Sequence, residues 1–167
     1  MKKIILSLLF LYNVTCMAEV PDIGKLRLLY RDAAQNEQTC RELKNILLNN
    51  KEKPDPLLLG YKASATMMMA GYVFNPLTKL SYFKKGRGML QRAIHADEKN
   101  VELRFLRFNI QTHIPFFLGY HSNIETDKIF LLNEIPQLAD FSLKNWIISD
   151  LKKSDYLTDI EKKKISL

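Results

Sequence analysis

Arg104, Arg107 and Gln111 stand three and four residues apart, which puts their side chains on one face of a helix. Lining a groove, two guanidinium forks could hold a carboxylate or a phosphate through paired hydrogen bonds. The same spacing serves packing if the arginines pair with Asp97, Glu98, Glu125 or Asp127 and fasten adjacent helices, the usual condition of a buried arginine. Lys79, Tyr82, Tyr120 and His121, together with Tyr61 and Tyr72, could line a surface near those arginines. Tyrosines on helix-packing faces otherwise serve as core residues with a hydroxyl at the rim. The candidate binding face is therefore Arg104, Arg107, Gln111, Lys79, Tyr82, Tyr120 and His121.

Other chemistries find little support. His95, His113 and His121 include no pair spaced four apart on one helix, and nothing resembles H-E-x-x-H, so no metal is expected. Met67, Met68 and Met69 point in three directions about 100° apart on a helix, which suits core filling. Asp97 and Glu98 fall at a turn, where solvation or capping explains them. There is no glycine-rich phosphate loop, nucleophile elbow or C-x-x-C, and neither catalysis nor a cofactor is expected.

Those residues sit on a helical framework. Lys79 to Gln111 reads as two helices joined by a polar turn. The first carries Gly86, Leu90, Ala93, Ile94 and Asp97 on one face. The second is apolar along Val101/Phe105/Phe108 and Leu103/Leu106/Ile110/Ile114, so it must be buried against more than one neighbour. Asp55-Pro56 and Asn75-Pro76 each place a capping side chain before a proline at the first helical position. They predict helices from Pro56 to about Gly71 and from Pro76 to Ala96. Asp22 to Asn50 reads as one bent helix or two, broken near Gln35–Gln38 with Asn36 a candidate cap. Asn100 opens a helix that Pro115 ends. Capping boxes at Ser122–Glu125 and Thr158–Glu161 open two more, and Asp140 a further one. Phe116 to His121 is an apolar connection that must be tucked under something or contact a partner. No strand alternation or hairpin dipeptide appears. The expected fold is all-α: antiparallel helix pairs in an α-solenoid-like bundle of six to eight helices.

Met1–Lys3, the apolar run Ile4–Tyr12 and Cys16-Met17-Ala18 match the three parts of a secretory signal peptide. Cleavage after Ala18 predicts an exported protein with a single domain over 19–167, without a membrane span, and periplasmic; lipidation at Cys16 is the alternative. The net charge of +7 then loses Lys2 and Lys3. The remaining Lys and Arg are spread along the chain apart from Lys162–Lys164, a pattern that argues against nucleic-acid binding. Only Cys40 remains, read as a small buried hydrophobe, so the fold depends on packing alone.

The spacing of Gly86, Leu90 and Ala93 before the turn Asp97–Asn100 resembles the second helix of a tetratricopeptide repeat, with Glu98 where that repeat has proline. The first helix of such a unit has no counterpart, because Asn75-Pro76 interrupts it. Leu57 to Leu132 resembles a family of exported helical proteins from Bacteroidetes. The segments that carry the resemblance are Leu59-Gly60-Tyr61, Lys79 to Gly86 after Asn75-Pro76, Glu102 to Phe108, and Phe117 to Tyr120. It implies an exported helical protein and no activity. The function expected is a protein-interaction or scaffold module with an unknown protein partner. The alternative is a small-ligand-binding protein or enzyme with a pocket around Arg104 and Arg107, and membrane-surface association through Lys162–Lys164 is a third.

Overall fold

The computed structural model describes residues 22–49 and 55–165; the segment read as a signal peptide, Cys16 included, lies outside them. Among the described residues the chain is all-α, with eight helices and no strand. They are α1 (Ile23–Ala33), α2 (Glu37–Asn49), α3 (Pro56–Met68), α4 (Pro76–Ala96), α5 (Val101–His113), α6 (Ile124–Glu134), α7 (Phe141–Lys153) and α8 (Asp159–Lys164). No helix among them is long and apolar enough to cross a membrane.

Local chemistry sets most of the ends. Asp55 accepts from the backbone N–H groups of Leu57 and Leu58 at 2.7 and 3.1 Å, and Asn75 from those of Leu77 and Thr78 at 2.9 and 3.1 Å. In both cases proline follows at the first helical position. Asn36 accepts from Thr39 N at 3.2 Å, so the first segment is two helices and not one bent one. The capping box at Thr158 and Glu161 forms. The one expected at Ser122 does not. α6 starts at Ile124 after Asn123, the Ser122 hydroxyl donates to Asn123 Oδ1, and Glu125, which would have to reach back, instead pairs with Lys128 at 3.0 Å. α3 also stops at Met68, and Met69–Tyr72 tightens into a 3-10 turn.

α3 and α4 form the tightest pair. A Cβ on Gly86 would stand 2.6 Å from the Ala63 carbonyl oxygen, so only glycine permits this approach. α1, α3 and α5 lie side by side: the Tyr30 and Tyr61 rings meet edge to face at 5.7 Å, and Gly60 abuts Leu103 and Leu106. α2, α4 and α6 back them through α1·α2, α3·α4 and α5·α6 contacts. α7 closes the opposite side. Trp146 sets its ring against Tyr30 at 5.7 Å and Phe105 at 5.0 Å, and Ile147 and Leu151 are buried with it. One core runs from Leu26 to Ile165.

A charged clamp crosses this layer. The Arg27 guanidinium donates to both carboxylate oxygens of Glu102, at 2.8 and 2.7 Å, and to Asp140 Oδ2 at 2.7 Å. The Tyr61 hydroxyl also donates to Glu102, which is buried. Asp140 caps α7 through Leu143 N at 3.0 Å. That backbone bond, reinforced by Arg27, holds its carboxyl below the usual range. A depressed carboxylate stabilises the fold above its unfolded pKa and loses that contribution as pH falls through the folded one. Asp140→Asn is therefore expected to lower stability at pH 6 and to converge with the wild type as pH falls below the ordinary carboxylate range, as urea melts across that range would show.

Candidate functional site

The sequence-predicted face divides in two. Arg107 closes as a fork on Asp127, Nε to Oδ2 at 2.6 Å and the second nitrogen to Oδ1 at 2.8 Å, while Arg104 Nε lies 2.7 Å from Oδ1. Asp127 is fully buried, and the Arg104 guanidinium also covers the Phe130 ring at 4.7 Å. Of the four carboxylates that could take these arginines, α6 supplies this one. Both guanidiniums are thus engaged in holding α5 to α6. Gln111 donates from Nε2 to Asn123 Oδ1 at 3.3 Å in the same seam, and Tyr120 lies beneath Arg87 at 4.8 Å and against Phe83 at 6.0 Å. Burial raises the pKa of the Tyr120 hydroxyl, with Arg107 and Arg87 working against it. Gln111 Oε1, the Tyr120 hydroxyl and Arg104 Nε are buried without a hydrogen-bond partner among the described residues, so Arg104 meets Asp127 as a close ion pair and not through a hydrogen bond.

The other members stand elsewhere. His121 stacks on Phe116 at 5.0 Å and reaches the Ile114 carbonyl at 3.3 Å. Tyr82 receives the Lys44 ammonium over its ring at 4.9 Å, tying α4 to α2. Lys79 is exposed on the first turn of α4. Cys40 is buried, donates to the Ala65 carbonyl at 3.5 Å, and is pushed up by burial to about 11, so its thiol stays protonated.

Open space lies away from the arginine seam, at one end of the inner layer. There the C-terminal ends of α1, α3, α5 and α7 surround a groove of about 540 Å³. Met67, Met68, Phe105, Phe108 and Ile110 form its apolar wall. Its polar corner is Tyr30, Asn109 and Asp150: Asn109 Nδ2 donates to the Tyr30 hydroxyl at 3.4 Å, and Trp146 Nε1 holds Asp150 at 2.9 Å. Burial, with the Asp150 carboxylate nearby, raises the Tyr30 pKa and keeps that hydroxyl neutral. Arg31, His113 and Lys153 come from the last turns of their helices, where positive charge balances the carbonyl ends. The arrangement can hold an apolar group and orient it by a few hydrogen bonds. Sequence reading missed this groove; the one local signal was the i,i+4 pair Trp146 and Asp150 on α7. Among the described residues no three His, Cys, Asp or Glu side chains gather as a metal-holding group.

No protein-family model, curated protein or solved structure matches the chain.

Proposed function

We propose that the chain is an exported, periplasmic protein-interaction module that seats an apolar segment of a partner in the groove between α1, α3, α5 and α7. The observation that carries this reading is the groove itself. Its volume of about 540 Å³ falls in the range of ligand sites, and an apolar wall with a small polar corner is their usual composition. The fork of Arg107 on Asp127, with Arg104 paired to the same buried carboxylate and covering Phe130, supports the groove over the arginine face, because that charge is already balanced inside the seam. The leader pattern Met1–Ala18 supports export. Helix pairs backing a shared inner layer support a repeat-like binding scaffold, by analogy with solenoids that receive partners on their inner face.

The test uses a random peptide library displayed on phage and the chain from Glu19 onward. Peptides sharing an apolar anchor are expected to be enriched. Met68→Trp, which fills the groove from a half-buried position, should weaken them about tenfold, with melting unchanged. Lys79→Ala and Tyr82→Phe should leave binding as it was. The reading fails if no peptide group is enriched, or if the enriched peptides bind Met68→Trp as well as the wild type.

A further inference from the structure

The end of the bundle formed by the α3–α4 turn and the α5–α6 connection carries large apolar side chains that stand mostly in the open, Phe116 with only its stack on His121. Phe74 is 99% exposed, Leu77 78%, Phe116 85% and Phe117 84%. They share one end because α4 runs back along α3, with Gly86 against Met67, while α3 and α5 run the same way, with Gly60 at Leu103 and Met67 beside the last turns of α5 in the groove. The Phe116–Tyr120 connection is held to α4 by the Tyr120 ring between Phe83 and Arg87. On α4, Leu77, Leu80 and Lys84 fall on one exposed stripe beside the buried face of Phe83, Gly86 and Leu90.

Charge adds a second, independent observation. From Pro56 to Ala96 the sequence contains six Lys and Arg residues and no Asp or Glu. Lys79, Lys84 and Lys85 are exposed in the first half of α4, behind the apolar tips. The nearby α1–α2 turn balances Asp32 and Glu37 with Arg31 and Arg41, so the basic excess belongs to the α3–α4 side.

We propose that this end docks on an anionic lipid bilayer, with Phe74, Leu77, Phe116 and Phe117 entering the headgroup–acyl boundary and Lys79, Lys84 and Lys85 meeting the phosphates. A bilayer fits better than a protein for two reasons. The apolar groups protrude from separate turns, so a fluid surface can receive them without a matching cavity. Lysine is also depleted in protein interfaces, whereas basic side chains above an apolar edge gain from an anionic surface and can extend their stems along it.

The chain from Glu19 onward contains every core residue described and lacks the leader, which could itself enter lipid. It is to be sedimented with vesicles of phosphatidylglycerol and phosphatidylcholine, and with phosphatidylcholine alone. Binding to the anionic vesicles is expected, reduced by 0.5 M salt because screening shortens electrostatic reach to a few ångströms. Phe74→Ser/Phe116→Ser/Phe117→Ser and Lys79→Glu/Lys84→Glu/Lys85→Glu should each weaken binding at least about tenfold. All six positions are exposed, so melting should be unchanged. Absence of binding overturns the proposal, as does binding that neither variant reduces, which would point to Lys162–Lys164. Failure to bind vesicles while the triple-serine variant abolishes self-association or capture of an acidic protein also overturns it, by making the surface a protein interface. None of these outcomes bears on the peptide groove, which Met68→Trp tests separately.

Discussion

Asp127→Ala is expected to lower the unfolding free energy by about 3–5 kcal/mol, a large share of the roughly 5–15 kcal/mol that holds a domain of ordinary stability. The carboxylate is fully buried and engages Arg107 through both its oxygens, with Arg104 beside Oδ1. Alanine would leave two guanidiniums in the α5–α6 seam, one of them on a residue only 7% exposed. The stranded charge must then be solvated by distortion or by water entry. The triple change Arg104→Met/Arg107→Met/Asp127→Leu should recover most of the loss, since apolar groups of similar size commonly replace a whole buried ion cluster at little cost. Urea denaturation of the two variants is the measurement. A loss under about 1 kcal/mol for Asp127→Ala would mean that the seam behaves as a solvated surface pair. The triple variant also separates fastening from recognition: if it folds and keeps its groove peptides, the arginine face plays no part in binding them.

What the sequence made legible was local. Asp55-Pro56 and Asn75-Pro76 marked the starts of α3 and α4 correctly because cap and proline act within one turn, whatever surrounds them. Ser122 showed the limit of such signals. A capping box needs both partners free to turn toward the backbone, and there Lys128 holds Glu125 and Asn123 engages Ser122. The arginine pairing was half legible. Spacing put Arg104 and Arg107 on one face and offered four carboxylates, but choosing Asp127 required the placement of α6 against α5. The Phe116–His121 connection, read as either tucked in or facing a partner, is tucked in at Tyr120, which is buried under Arg87, and is exposed at Phe116 and Phe117. The groove was not legible. Its polar corner joins Tyr30 of α1, Asn109 of α5 and Asp150 of α7, and periodicity shows which way a side chain faces but not where packing between distant helices stops.

Trp146→Ala is expected to cost about 3–5 kcal/mol and to act first on α7. The indole is nearly buried, meets Tyr30 and Phe105 edge to face at interplanar angles of 64° and 87°, and donates to Asp150. Each such aromatic pair contributes about 0.5–1.5 kcal/mol beyond the area it buries, so the loss should fall toward the upper part of that range. Its location matters more than its size. α3 and α4 are locked by the close approach at Gly86, which Trp146 does not touch, whereas α7 is held to the inner layer by Trp146, Leu143, Ile147, Leu151 and the Arg27–Asp140 pair. Amide hydrogen exchange in Trp146→Ala should therefore quicken across Phe141–Lys153 and the facing part of α1 while Pro76–Ala96 keeps its protection. The same change would free the Asp150 carboxylate and remove the ring that backs Tyr30, loosening one wall of the groove. Peptides selected on the wild type should then bind less tightly, although Trp146 itself does not line the groove. Uniform loss of protection over all helices would instead show that α7 unfolds only with the whole core, and the groove would then be as rigid as the α3–α4 pair beside it.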